Sequence, residues 1–129
     1  MIEYRNSIDG ITTEMLHGFF VGWRAPHTPE IHLEILENSS LIVLAFDLET
    51  QKVIGFITAI TDSAQSAFIP PLEVIPEFQG RGIGSSLVSQ ILKKLEHIPA
   101  IDLTCNPDLQ PFYAKLGMMP SSGMVIRNY

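Results

Sequence analysis

Val74-Ile75-Pro76-Glu77-Phe78-Gln79-Gly80-Arg81-Gly82-Ile83-Gly84-Ser85 decides how the rest of the chain is read. An apolar strand ends at a proline, crosses a short loop and enters a helix through three alternating glycines. Such a turn leaves backbone N–H groups unobstructed at the positive end of a helix dipole, a setting that suits a phosphate or pyrophosphate. The helix it opens carries Ile83, Leu87, Val88, Ile91, Leu92 and Leu95 on one side, the stripe of a helix that packs on a sheet. A triphosphate-binding loop requires G-x-x-x-x-G-K-[ST], and no lysine stands in that place. A dinucleotide fingerprint counted from Gly80 puts Ser85 where its third glycine belongs, and counted from Gly82 it puts Leu87 there. A plain strand-to-helix turn remains the alternative, but three glycines are many for that purpose. Each one costs about 0.5–1 kcal/mol of backbone entropy against alanine.

Upstream, Ile2 to Arg5 reads as a short strand. Thr12 or Thr13 is positioned to cap a helix reaching Trp23, with Met15, Leu16, Phe19 and Phe20 as its stripe. Pro26 stops it, and Thr28-Pro29-Glu30 starts another, in which Ile31, Leu33, Ile35 and Leu36 form the buried side. Leu41–Phe46 and Val53–Ile60 are apolar runs of strand length that read as an antiparallel hairpin. A third strand runs from Ala67 to Ile75, and Pro70-Pro71 implies a bulge or an edge within it. After the glycine turn and its helix come a strand over Ala100–Cys105, a short helix capped by Asn106-Pro107-Asp108 that ends at Gly117, and a last strand over Met118–Arg127. The order predicts a mixed α/β sheet with one strand–helix–strand parallel crossover.

With 129 residues, 46% hydrophobic and 17% charged, the chain reads as one folded domain spanning 1–129 rather than a disordered segment. The formal charge of −6 and the lack of a basic stripe argue against nucleic acid as a partner. Cys105 is the single cysteine, so no internal disulfide forms, and a reducing compartment is expected. No apolar segment approaches the roughly 18 residues of a membrane span, and Met1-Ile2-Glu3-Tyr4-Arg5 does not read as a leader. The expectation is a cytoplasmic protein with no membrane partner. His17, His27, His32 and His97 show no metal-ligand spacing, so no metal is expected.

Two segments together resemble one family. Gln79-Gly80-Arg81-Gly82-Ile83-Gly84 matches the Gln/Arg-x-x-Gly-x-Gly/Ala pattern of the GNAT superfamily of N-acetyltransferases, preceded by Leu72-Glu73-Val74-Ile75-Pro76 as the strand into the loop. Farther on, Asn106 and then Phe112-Tyr113-Ala114-Lys115-Leu116-Gly117-Met118 resemble that family's asparagine and [FY]-Y-x-x-x-G-[FM] segment. The likeness covers most of the chain from Leu41 onward; the helices before it match only in kind. It implies a mostly antiparallel mixed sheet with a central parallel pair and flanking helices, binding acetyl-CoA as co-substrate.

The resemblance further implies that backbone N–H groups from Gln79 through Gly80, Arg81, Gly82, Ile83 and Gly84 to Ser85 cradle the CoA pyrophosphate. Leu72 and Val74 would offer an open strand edge to the pantetheine arm, with the Val74 N–H aimed at the thioester carbonyl. Tyr113 would return a proton to the leaving thiolate, and Asn106 would touch the pantetheine or the substrate side. A core role for Tyr113 and a capping role for Asn106 compete with these assignments. Glu73 is the candidate general base, its side chain alternating to the face opposite Leu72 and Val74; a surface ion pair is the competing reading. Phe19, Phe20, Trp23 and Arg24 are candidates to line the acceptor side. The acceptor is an amine, on a small molecule or a protein, of unread identity. A homodimer joined through Met124–Arg127 fits the family. The alternative to an enzyme is a non-catalytic acyl-CoA-binding regulator of the same fold.

Overall fold

The computed structural model describes residues 1–129. The strands are β1 (Ile2–Arg5), β2 (Leu41–Asp47), β3 (Lys52–Thr61), β4 (Ser66–Phe68), β5 (Glu73–Val74) and β6 (Ala100–Asp102); the helices are α1 (Pro29–Asn38), α2 (Ile83–Lys94) and α3 (Gln110–Ala114). Single 3-10 turns occupy Thr13–Leu16, Pro76–Phe78 and Pro107–Leu109. The sheet runs β1-β2-β3-β4-β6, with β5 also pairing β3. Every pair is antiparallel except β4 with β6, where Ala67 stands opposite Ile101. The mixed, mostly antiparallel architecture expected from the sequence is therefore present. Its parallel pair lies at the edge of the sheet, because residues 118–127 form no strand beyond β6.

β2 and β3 read as continuous apolar runs because both faces are covered. α2 packs on one face through Leu87, Val88 and Ile91, all fully buried. The segment from Ile11 to Leu36 covers the other, where the Phe56 ring meets Phe19 at 5.2 Å and His32 at 4.3 Å. Truncating one of these core side chains to alanine typically costs about 2–5 kcal/mol. Pro70-Pro71 breaks the third strand as expected, separating β4 from β5.

The first expected helix is absent. Thr13–Leu16 makes one 3-10 turn, and residues 17–28 then form neither helix nor strand. Gly18 (φ 99°), Phe20 (φ 63°) and Gly22 (φ 81°) are left-handed, which no α-helix accommodates. In α1, Thr28 caps the helix by accepting the Ile31 N–H at 3.2 Å, as the Thr-Pro signal predicts. Its buried side differs from the expected one. His32 and Leu36 are buried, Leu33 and Ile35 are half-buried, and Ile31 is exposed. The strand expected over Ala100–Cys105 pairs only through Asp102.

Candidate active site

α2 begins in the glycine turn without a side-chain cap. Gly82 is its N-cap residue, left-handed at φ 80°, and the first helical bond runs from the Ser86 N–H to the Gly82 carbonyl at 3.1 Å. The N–H groups of Ile83, Gly84 and Ser85 are thus the orphan donors of a twelve-residue helix, at the positive end of its dipole. Gly80 is left-handed too (φ 79°), and a Cβ on Gly80 or Gly82 would meet no atom within 4 Å. These two glycines keep the space before the helix open and supply a conformation that other residues adopt at a cost of roughly 1–2 kcal/mol. Gly84 plays a different part. A Cβ there would lie 3.7 Å from the Phe112 ring and 4.0 Å from Leu72 and Val74, so Gly84 brings α3 and β5 against the start of α2. Free N–H donors facing open space at a helix N-terminus have the chemistry to receive an anion such as a pyrophosphate.

The remaining turn residues are tied to their own neighbours. Gln79 gives its backbone N–H to the Pro76 carbonyl and its Nε2 to the Val74 carbonyl at 2.9 Å. Arg81 donates to the Glu77 carbonyl and lies over the Phe78 ring, 4.8 Å from its centre. The Ile83 side chain is buried in the core. Gln79 accordingly fixes the shape of β5, and Arg81 fixes that of the turn.

β5 has a free edge. Ile75 sends its N–H to the Ile54 carbonyl of β3 at 2.9 Å, so the Val74 N–H, one residue earlier in the pleat, points away from β3. β6 pairs with β4 but does not reach β5. The two strands separate here, and the Val74 N–H faces the gap. Leu72 and Val74 direct their side chains toward Gly84, whereas Glu73 faces the other side of the sheet, beside its cross-strand partner Phe56.

Glu73 lies in the middle of a contact that the sequence did not signal. Both of its carboxylate oxygens receive the Phe20 N–H, at 2.7 and 2.9 Å. Burial raises its pKa above the usual carboxylate value, and backbone N–H groups of Phe20 and Val21 counter part of that rise. Tyr113, on α3, is half-buried; burial lifts its hydroxyl pKa and nearby Cys105 adds to the effect, so the phenol is protonated at neutral pH. It borders a cavity of about 530 Å³ with Phe68, Cys105 and Gln110. Asn106 is exposed ahead of the Pro107–Leu109 turn; its carbonyl accepts the Leu109 N–H, and its side chain makes no cap bond. No cluster of three or more His, Cys, Asp or Glu side chains has metal-binding geometry.

Above Glu73, Phe20, Trp23 and His27 form a triangle of rings with centres 5.0, 5.0 and 5.7 Å apart. Phe19 and Phe20 are core residues, while Trp23 and Arg24 are exposed. His32 lies beneath, fully buried among Phe19, Phe20 and Phe56, and neither ring nitrogen has a hydrogen-bond partner. Burial, with His27 adding a smaller contribution, lowers its pKa to about 4, so it is neutral at physiological pH. Sequence reasoning passed over this ring. The left-handed glycines at 18 and 22 were the available sign that a loop replaces the helix.

The uncapped start of α2, the open edge of β5 beside it and Tyr113 on α3 lie in one region of the fold. The sequence profile of the acetyltransferase (GNAT) family matches residues 8–118, and the chain belongs to that family. It is similar to the uncharacterized N-acetyltransferase ycf52 of Pyropia yezoensis, with 32% identity over 77% of this chain and 59% of that protein. The ycf52 protein of Gracilaria tenuistipitata var. liui shows 34% identity over 77% of this chain and 56% of its own length. The chain therefore spans little more than half the length of these two relatives. Among solved structures, it resembles a candidate acetyltransferase from Deinococcus radiodurans at TM-score 0.94 and 38% identity, covering 98% of this chain and 88% of that one.

Proposed function

We propose that residues 1–129 act as a single acetyl-CoA-dependent N-acyltransferase domain that moves an acyl group directly to an amine. The observation that carries this reading is the uncapped start of α2 beside the outward-facing Val74 N–H. Bound acetyl-CoA supplies an activated thioester. The N–H groups of Ile83, Gly84 and Ser85 hold its pyrophosphate, with Gly80 and Gly82 keeping the approach open. Leu72 and Val74 offer the strand edge to the pantetheine arm, and Asn106 stands at its far side. The Val74 N–H donates to the carbonyl oxygen as negative charge grows on it. Gln79 and Arg81 support this arrangement from behind.

The attacking amine must be neutral. Glu73 accepts its proton, through water, on lone pairs not used by Phe20, and burial makes this carboxylate a better base. Tyr113 gives a proton to the departing thiolate. The acceptor enters on the Trp23 and Arg24 side, and the −6 net charge favours a cationic amine over an acidic one. The test is release of free thiol from acetyl-CoA with spermidine, tyramine, glucosamine and a lysine-containing peptide. Turnover of at least one is the expected result; acetyl-CoA binding without turnover of any would reduce the site to a binding module. If acetyl-CoA fails to raise the melting temperature, the cradle assignment is wrong.

A second copy of the chain is the proposed protein partner, in a reducing compartment such as the cytoplasm. No helix is long and apolar enough to cross a membrane. Residues 119–129 make no backbone hydrogen bond and expose Met119, Met124, Val125 and Ile126, residues 119–125 line a cavity with Ile101 and Asp102 of β6, and β6 has a free edge. Strand pairing between copies satisfies both, and Ile126→Pro should convert a dimer to a monomer in light scattering.

A further inference from the structure

The loop over residues 17–28 is too exposed and too irregular to hold itself. It contains one internal backbone hydrogen bond, from the Trp23 N–H to the Phe20 carbonyl at 3.2 Å. Three of its residues, Gly18, Phe20 and Gly22, are left-handed, and for Phe20 that conformation is unfavourable by roughly 1–2 kcal/mol. Val21, Trp23 and Arg24 face solvent. Strain of this kind persists only where surrounding contacts impose it. Two contacts do so, and they come from opposite positions of one strand pair. Phe56 on β3 packs against the Phe19 and Phe20 rings, and Glu73, its partner on β5, takes the Phe20 N–H on both oxygens. Glu73 makes no salt bridge; the only ion pairs in the molecule join Met1 to Asp47 and Arg5 to Glu3. Its partner is the loop backbone, 53 residues away in sequence.

We propose that Glu73 is a positioning residue as well as a base: its carboxylate clamps the left-handed Phe20 and so sets the Phe20–Trp23–His27 triangle against the strand that presents the acyl donor. The next residue on β5, Val74, turns its N–H toward the donor. One two-residue strand therefore holds the acceptor loop with one residue and the thioester with the other. The acceptor side of the site is built by this clamp rather than by the local sequence of the loop. Phe20 supplies the coupling, since its N–H meets Glu73 while its ring meets Trp23 and His27.

The acceptor half of this inference rests on the acyltransferase reading; the clamp itself does not, and the experiment separates them. Glu73→Gln keeps a carbonyl oxygen for the Phe20 N–H and removes the base, whereas Glu73→Ala removes both. Hydrogen exchange should show the Phe20 amide opening at least tenfold faster in Glu73→Ala and close to wild type in Glu73→Gln. Trp23, the only tryptophan, reports the same event: its emission should shift to the red and become more quenchable in the alanine variant alone. With the panel amine turned over fastest, the glutamine variant should lose kcat with KM within twofold, and the alanine variant should also raise the acceptor KM about tenfold. An unchanged Phe20 amide and Trp23 emission in Glu73→Ala would overturn the clamp, whether or not any amine is acetylated. A loosened loop with unchanged acceptor KM would overturn its role in acceptor positioning.

Discussion

The two loops that flank β5 reach their shapes by opposite routes. The turn after it, residues 79–85, is written in its own residues: Gly80 and Gly82 take left-handed conformations that glycine adopts freely, and a twelve-residue helix follows. The stretch at residues 17–28 is held from outside, since Phe20 takes a similar conformation against its own preference, under Glu73 and Phe56. A locally encoded loop should fail through changes to itself. An imposed one should fail through changes to its supports.

The largest expected effect lies at Tyr113, the proposed proton donor. Tyr113→Phe should lower kcat by about 10²-fold or more in the thiol-release assay, with acetyl-CoA affinity held within twofold by calorimetry. An unchanged kcat would leave the phenol as a packing residue. Next is the support beneath the aromatic loop. His32 is neutral when folded, with its pKa lowered to about 4, while the unfolded chain takes up its proton near 6.5. The folded state is thus fully favoured above pH 6.5 and loses stability as the pH falls from 6.5 toward 4, by on the order of 3 kcal/mol. Chemical denaturation across that window should show the slope in wild type and a flatter one in His32→Phe. A wild-type curve flat from pH 7 to 4.5 would contradict the buried, unpartnered ring.

The smallest effect sharpens the comparison within the turn itself. Gly82→Ala forces a Cβ into the left-handed region and should cost roughly 1–2 kcal/mol of stability together with most of the acetyl-CoA-induced thermal shift. Gly84→Ala meets only ordinary contacts at 3.7–4.0 Å and should leave stability nearly unchanged. Equal losses at both positions would mean that left-handed geometry is not what the cradle requires.

Much of the frame around the glycine turn was legible because its signals are local. The Thr28-Pro29 start, the α2 stripe, the β2–β3 hairpin and the break at Pro70-Pro71 each depend on neighbours a few residues apart, and each stands in the structure. The helix expected from Thr12 or Thr13 to Trp23 was misread for the same reason. Met15, Leu16, Phe19 and Phe20 carry helical spacing, yet their burial comes from Phe56, His32 and the strand pair across the sheet, so the apolar period survives without the helix. Residues 118–127 have strand-like composition but no strand within this chain to pair with, and composition does not supply hydrogen bonds.

By itself the sequence determined the glycine turn, the helix that follows it and the family to which the chain belongs, because backbone freedom at glycine and a one-sided apolar stripe act over short range. Only the tertiary structure decided that Glu73 closes onto Phe20 and that Phe56 packs against the Phe19 and Phe20 rings. Both depend on which strand lies beside β5, and strand pairing joins residues that the sequence keeps far apart.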